Sequence, residues 1–556
     1  MTKNAPVKQR FLFLILFCIA CIVTVFYQQP ITNCIYRFNL NILVISYLWV
    51  ALGLCGIYVR VICLNKFDLL FIGFVGACII VAIINYSHKS DLNLIENVTY
   101  GFFIYLPIRA IMNSSNYDIK TQNLVSIITI TTIALIIIKA LVMAPSLQNI
   151  NGGTFNSTYF SNYITLFVPI LWYIKTLQTS SERLKKIIST QIILIIVICL
   201  LNQARGSIIG LAAFLILQLD IKYIYKKNKG LLVTIISGCL LVFYFLAKTK
   251  IDSANGRIFI WQNALILFKE QPFGIGLGNF KQAYAVVQSK ILTQHNFKPE
   301  FLLADVTDYA FNDLLQYVIE GGALILLFII SFIYLILKSK NRFLISFSLL
   351  VFIISSTGYI LHSFLTLSIV LISFCLFTKT DTAVSKVGKI VLLPTYVGLF
   401  WSIISLVSYL GSSKSGVTKL VNETYTPLDN KHLYDLAVKA FDQGKFKQAI
   451  TLLLKSGMTD YDIDADILLA KSYENLKDTK SAEIYYLKAN SILPRMFKPK
   501  HYLLKFYSAH KNEAAMRSIS KEIIETPIKV HSNEISNLRK QAEEILRQPL
   551  NLNREN

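Results

Sequence analysis

Apolar stretches long enough to cross a membrane recur through the first 410 residues of the chain. A membrane-crossing helix needs about 20 consecutive apolar residues, usually about 17–25. By that measure thirteen spans are expected: 11–27, 41–59, 67–85, 97–113, 123–142, 159–177, 186–201, 206–221, 230–247, 314–337, 343–358, 361–377 and 390–410. The pair 186–201 and 206–221 also reads as a broken or re-entrant hairpin. Charged residues make up 16% of the chain and mean hydropathy is +0.53, against about 25% charge in soluble domains. A soluble enzyme is excluded for this part. Because the apolar segments recur, the first is no cleaved export signal.

Basic residues set the orientation. With the N-terminus in the cytoplasm and the spans alternating, 21 Lys and Arg fall on inner segments, Arg109 among them, and the short outer loops hold Arg37, Lys89 and Arg205. The net charge of +23 is therefore mainly a topology signal and no argument for nucleic acid. An odd count places residues 411–556 and the stretch 248–313 outside, which in a bacterium is the periplasm. The apolar piece Ile258–Phe268 is too short to span and is expected at the membrane surface or capping the bundle. Eight of the nine cysteines lie in or beside apolar spans, so they read as packing residues, not as disulfide or metal ligands.

Beyond 410 the pattern changes. A linker (411–430) leads to helical pairs over 431–556 with a period near 33. Ala437, Ala470 and Leu503 share one repeating position, and Ala449, Ala482 and Ala515 another. This resembles the tetratricopeptide pattern, in which small residues let paired helices approach closely and about three copies are the minimum for a stable stack. Such a surface binds partners or packs on its own membrane part. The fold class expected is all-α: a polytopic membrane domain, 1–410, plus a C-terminal helical repeat domain.

Ionisable groups in or beside a span are costly and so mark candidate sites. Arg205, in Gln203-Ala204-Arg205-Gly206-Ser207, stands where one helix ends and the next begins. A guanidinium at a helix N-terminus attracts anions. Lys139 is expected to snorkel to the outer interface. The outer stretch carries Gly256-Arg257 with Trp261, then Pro272–Phe280, where Gly274, Gly276 and Gly278 permit a tight turn or a close backbone approach. Their spacing does not fit a dinucleotide-binding loop. Asp308, Asn312 and Asp313 gather at the mouth of the next span, and Asp313, Gln316 and Glu320 share one helix face. Helix capping by Asn312 or Asp313, with an internal partner for Glu320, is the competing reading of that cluster.

In this order these motifs resemble the superfamily of O-antigen ligases, O-antigen polymerases and bacterial protein O-oligosaccharyltransferases, over roughly residues 160–377. The resemblance implies transfer of a glycan from an undecaprenyl-pyrophosphate carrier at the periplasmic face of the inner membrane, without cofactor or metal, to a lipid A core, an exported protein or another glycan chain. It implies that Arg205 and Arg257 hold the pyrophosphate, whose charge grows as the sugar–phosphate bond breaks. Trp261, Gly276, Gly278, Asn312, Gln316 and His362 are then substrate-site candidates, with Glu320, Asp313 and Asp308 beside the arginines as catalytic ones. Ligases of this group carry a His-Asn pair with Gly ten residues after the Asn. Asn312 and Gly322 keep that spacing, but Phe311 stands at the histidine position and cannot act as a base. Either the base lies elsewhere or proton removal needs little help from the enzyme; Asp308, Asp313, Glu320 and His362 are the available substitutes, and a carboxylate is favoured.

Two other functions compete. A transporter or flippase for a lipid-linked glycan would place its site near the midplane, often in repeated halves, whereas the candidates here cluster at one face and residues 1–410 show no internal repeat. A membrane scaffold working through its repeats, with a protein partner on them, leaves the large outer stretch unexplained.

Overall fold

The computed structural model describes residues 61–85, 119–146, 149–152, 156–177, 180–219, 251–294, 307–378, 385–388, 430–458, 461–528 and 531–548, with isolated positions between them. The expected spans 11–27, 41–59, 230–247 and 390–410, and most of 97–113, lie outside the described residues, as does nearly all of the linker.

In chain order the elements are β1 (Val61–Leu64), α1 (Lys66–Ile84), α2 (Ile119–Val142), α3 (Ser157–Thr165), α4 (Val168–Thr176), α5 (Glu182–Leu201), α6 (Arg205–Gln218), α7 (Ile251–Glu270), α8 (Phe280–Gln294), α9 (Asp313–Lys338), α10 (Arg342–Ser355), α11 (Phe364–Phe377) and β2 (Ser385–Gly388). The C-terminal elements are α12 (Asn430–Asp442), α13 (Phe446–Ser456), α14 (Ile463–Asn475), α15 (Thr479–Ile492), α16 (Phe497–Ala509), α17 (Glu513–Glu525) and α18 (Asn533–Arg547). Among the described residues the fold is all-α apart from the four-residue ladder in which β1 pairs antiparallel with β2, Val61 opposite Gly388. Among the described residues α1, α5 and α9 are long and apolar enough to cross a membrane.

The contacts divide the chain into two compact units. The first holds residues 1–84, 93–251 and 311–425. Its core is aliphatic and aromatic, drawn from Ile133, Ile136, Phe160, Tyr163, Leu171, Ile195, Phe214 and Leu350 among others. The single span expected over 159–177 is two helices. Pro169 sits in the first turn of α4, where its missing N–H costs nothing, and Phe167 closes the break with a tight bond from its N–H to the Ile164 carbonyl, 3.2 Å. α6, at 14 residues, rises about 21 Å, short of the roughly 30 Å hydrocarbon core.

At the start of α1, Asn65 and Asp68 cap each other: the Asp68 N–H donates to Asn65 Oδ1 (2.9 Å) and the Asn65 N–H to Asp68 Oδ2 (2.6 Å). The same carboxylate takes the Arg109 Nε–H at 2.7 Å, both side chains being fully buried. Arg109 also donates to the Cys375 carbonyl (3.1 Å) and Thr378 Oγ1 (2.5 Å), and the Tyr105 hydroxyl donates to Asp68 (2.5 Å). Arg109 is therefore no free charge at a membrane edge, as its place in the sequence suggested. It is a staple joining α1 to the end of α11, and every hydrogen-bonding group around it is engaged. Lys139 is buried too, so the snorkelling expected of it is not seen.

The second unit holds residues 85–92, 252–310 and 426–556. The expected division put 248–313 with the membrane spans. The contacts instead group 252–310 with the repeats. Phe259 and Ala304 enter the same core as Ile463, Ala470, Tyr486 and Leu503, and Ile291 and Leu292 pack against it. The Arg495 guanidinium donates to the Ala304 carbonyl and the Ser289 hydroxyl to the Ser491 carbonyl. The apolar piece 258–268 lies inside α7.

Helices α12 to α17 form three hairpins, and α18 packs on α17. Side-chain caps open most of them: Asp462 on Asp464 and Ala465, Asp478 on Ser481, Asn512 on Ala515, Ser532 on Ile535. Ala437, Ala449, Ala470, Ala482 and Leu503 are fully buried at the hairpin contacts. Ala515 is only half-buried, so the third hairpin is less tightly closed.

Candidate active site

Arg205 is the first residue of α6, and the three-residue joint before it is tightly fixed. Gln203 adopts φ +52°, a left-handed conformation that side chains seldom take. The joint holds because Asn202 spends its whole amide on the neighbouring chain: Oδ1 accepts from the Ile150 N–H (2.9 Å), and Nδ2 donates to the Ile150 carbonyl (2.8 Å) and Ser161 Oγ (3.0 Å). Ser207 donates to Asn162 Oδ1 at 2.6 Å. The residue before α6, Ala204, supplies no side-chain cap, and the Arg205 N–H donates to the Gln203 carbonyl at 3.1 Å. Small residues then bring α6 against α10. A Cβ on Gly206 would lie 2.1 Å from Thr357 Oγ1, and one on Gly210 3.3 Å from Ile354 Cγ1.

The turn that follows α10, residues 356–363, meets the start of α9. Asn312 caps α9, its Oδ1 accepting from the Leu315 N–H at 3.1 Å, so the capping reading of that residue is the one the structure displays. Asp313 is fully buried. Its Oδ2 accepts from the Leu361 N–H at 2.9 Å, and its Oδ1 faces His362 Nδ1 in a short contact. The His362 side chain is 4% exposed, and the Tyr317 ring lies 5.4 Å from it. Tyr159 stacks on Tyr359 at 5.9 Å and bonds Ser363 Oγ at 2.5 Å. Phe311, at φ +51°, sets its ring edge-on to Tyr359 at 6.1 Å.

Gln316 and Glu320 lie on the face of α9 that carries Asp313, all three buried, and Gln316 Nε2 donates to Glu320 Oε1 at 3.0 Å. Just beyond, Gly322 has φ +68° and ψ −163° and kinks the helix. That backbone region is essentially reserved for glycine, which supplies a physical reason for a glycine ten residues after Asn312.

The remaining candidates belong to the second unit. Arg257 is half-buried in the second turn of α7. Trp261, one turn on, donates its Nε1–H to the Ala310 carbonyl at 2.9 Å. Gly274, Gly276 and Gly278 all have positive φ and form the turn between α7 and α8. A Cβ on Gly276 would meet Asn85 at 2.6 Å, so the close backbone approach is real. Asp308 is largely exposed and pairs with Lys281 at 2.8 Å. The candidates thus fall in two groups: Arg205, Asn312, Asp313, Gln316, Glu320 and His362 in the first unit, and Arg257, Trp261, Gly276, Gly278 and Asp308 in the second. Sequence reasoning missed the residues that hold Arg205 and His362 in place: Asn162, Asn202, Thr357 and Tyr159. No motif or periodicity marks them.

A search of curated proteins gives no match. A scan of family models gives one over residues 191–330, described as O-antigen ligase. The matched segment runs from the middle of α5 to the middle of α9 and contains Arg205, Arg257 and the Asn312–Gly322 pair. With its apolar helices, the chain is an all-α membrane protein in which residues 191–330 are similar to the O-antigen ligase family.

Proposed function

We propose that the chain transfers a glycan from a polyprenyl-pyrophosphate carrier, undecaprenyl pyrophosphate in a bacterium, to an acceptor hydroxyl at the periplasmic face of the inner membrane, with the N-terminus in the cytoplasm. The observation that carries this reading is Arg205 at the uncapped start of α6, held rigid by Asn202 and packed against Thr357, inside the segment that matches O-antigen ligase. Charge builds on the carrier pyrophosphate as its bond to the sugar breaks. A preorganised guanidinium favours that state more than the ground state. The resemblance gives Arg257 the same task. Neither nucleotide sugar nor metal has a part in this scheme.

The acceptor is a lipid A core, a hydroxyl of an exported protein, or the end of another glycan chain, the last making the enzyme a polymerase. The C-terminal hairpins, read as tetratricopeptide-like repeats, offer a docking surface for a protein acceptor or an assembly partner. The test is reconstitution. The purified chain is incubated with an undecaprenyl-pyrophosphate glycan and each acceptor in turn, without nucleotide or divalent metal. Arg205→Ala and Arg257→Ala are expected to abolish product while leaving the protein folded. Full activity in both variants refutes the pyrophosphate assignment. Carrier crossing vesicle membranes without any new glycosidic bond makes the chain a transporter. Transfer to a protein acceptor unchanged by loss of 411–556 removes the docking role.

A further inference from the structure

We propose that the general base of this reaction is His362, oriented by Asp313, in place of the histidine that position 311 lacks. The proposal rests on the transfer reading above. Asp313 has both carboxylate oxygens engaged, one by the Leu361 N–H at 2.9 Å and the other by His362 Nδ1. With Nδ1 turned to the carboxylate, the proton sits on Nδ1 and Nε2 is the basic nitrogen. A buried carboxylate that fixes the tautomer of an imidazole and stabilises the imidazolium is the arrangement that makes histidine a base in nucleophilic enzymes.

Its place in the fold agrees. Phe311 stands two residues before Asp313, and its ring contacts Tyr359, three residues before His362. The imidazole is thus delivered beside the family's base position from a different stretch of chain. The turn that carries it is pinned by Tyr159, through stacking on Tyr359 and the bond to Ser363. That turn includes Thr357, against which Gly206, the neighbour of Arg205, is packed. Among the described residues, Tyr317 and Tyr159 are titratable side chains close to the Asp313–His362 pair, and Glu320 and Cys78 lie close to Tyr317 in turn. The rival bases fit less well. Asp308 is largely exposed, paired with Lys281 and part of the other unit. Glu320 accepts from Gln316, about two turns further along α9.

The step balances without another reactant. The acceptor oxygen bonds to the anomeric carbon, and the bond from that carbon to the pyrophosphate oxygen breaks, its electron pair leaving with the carrier pyrophosphate. The hydroxyl proton passes to His362 Nε2, and the imidazolium, paired with Asp313, gives it up once departure of product opens this nitrogen to water. Burial of the imidazole keeps bulk water from this nitrogen, which disfavours hydrolysis of the donor. Bringing the acceptor hydroxyl to it is then part of acceptor binding.

The test uses the full chain with lipid-linked donor and acceptor, reading rate against pH and donor binding separately. His362→Gln is expected to lower the rate by about 10²–10⁴-fold, to remove the acidic limb of the pH profile and to leave donor affinity unchanged. The decisive variant is Phe311→His combined with His362→Gln. It puts an imidazole back at the family position, and is expected to recover at least about tenfold in rate and to restore the acidic limb. Exogenous imidazole is expected to rescue His362→Gly partially. A His362→Gln rate within about twofold of wild type with the limb intact, or donor affinity falling in step with rate and no recovery in the double variant, overturns the proposal. A wild-type chain that joins no donor to any acceptor refutes the transfer reading itself, before any variant is compared.

Discussion

Gly206→Ala puts a single methyl group where the structure leaves no room for one. The added Cβ would sit 2.1 Å from Thr357 Oγ1 and 3.2 Å from Thr357 Cβ. Ordinary contact begins at 3.4 Å, so 1.3 Å of clearance (3.4 less 2.1) is missing. Rotating Thr357 away breaks its hydroxyl bonds to the Ile353 and Ile354 carbonyls at 3.1 and 3.3 Å and leaves the Cβ contact in place. Moving α6 instead opens the Gly210 contact with Ile354 and Leu350. Either route costs about 1–3 kcal/mol, the range for overpacking a well-packed interior. At about 2–4 °C per kcal/mol for domains of 150–250 residues, thermal unfolding in detergent should fall by several degrees. The effect on transfer should be larger than on stability, because displacing a positioning group by about 1 Å can cost about 10²-fold in rate. Thr357→Ala removes the 2.1 Å contact and leaves the one at 3.2 Å, so Gly206→Ala with Thr357→Ala should recover most of both. If Gly206→Ala melts and turns over like wild type, or the double variant is no better than the single, α6 does not hold Arg205 through this contact.

Three further outcomes follow from the same geometry. Arg109→Met should destabilise the first unit by about 3–5 kcal/mol because it leaves the buried Asp68 carboxylate without its cation, while Asp68→Leu with Arg109→Met should cost much less than the two single changes added; site-resolved thiol labelling of buried Cys375, whose carbonyl Arg109 binds, reports the loosening. Gly322→Ala should cost about 1–3 kcal/mol from backbone strain alone, since φ +68° with ψ −163° is closed to side chains, and unfolding in graded detergent measures it. Burial lowers the pKa of Lys500, opposed by Glu522 3.3 Å away. The folded state therefore binds fewer protons than the unfolded one just below the ordinary lysine range, and stability of the second unit should rise with pH as the ordinary lysine range is approached from below. Hydrogen exchange in α16 should follow that slope, and Lys500→Met should flatten it.

The apolar helices α1, α5 and α9 and the helical hairpins of the C-terminal part were legible because each is a local pattern: unbroken apolar runs in one case, small residues at regular spacing in the other. The shared face of Asp313, Gln316 and Glu320 was legible for the same reason, since spacings of three and four read directly on a helix. What escaped joins distant segments. Nothing near Phe259 says that it will pack with Ile463 and Tyr486, so the grouping of 252–310 with the repeats was not visible. Arg109 and Asp68 are 41 residues apart, and each alone resembles a charge at a membrane edge.

Position 311 is the sharpest case. The sequence shows a missing histidine there and a histidine at 362, with Asp313 and His362 49 positions apart and no periodic relation connecting them. Two physical facts link the positions. Asn312 must keep an extended conformation to cap α9, and the chain arrives at it through a left-handed Phe311. That conformation disfavours a bulky side chain and is less costly for histidine. Phenylalanine at this point carries strain that its contact with Tyr359 has to offset. Tyr359 belongs to the turn that holds His362 against Asp313. The phenylalanine at position 311 thus also anchors the turn that presents His362. Phe311→Ala should therefore loosen that turn and depress transfer although it removes no ionisable group, whereas Phe311→His, which keeps a ring against Tyr359, should be tolerated. Equal loss in both variants would mean that Phe311 serves by its own shape and not by steadying His362.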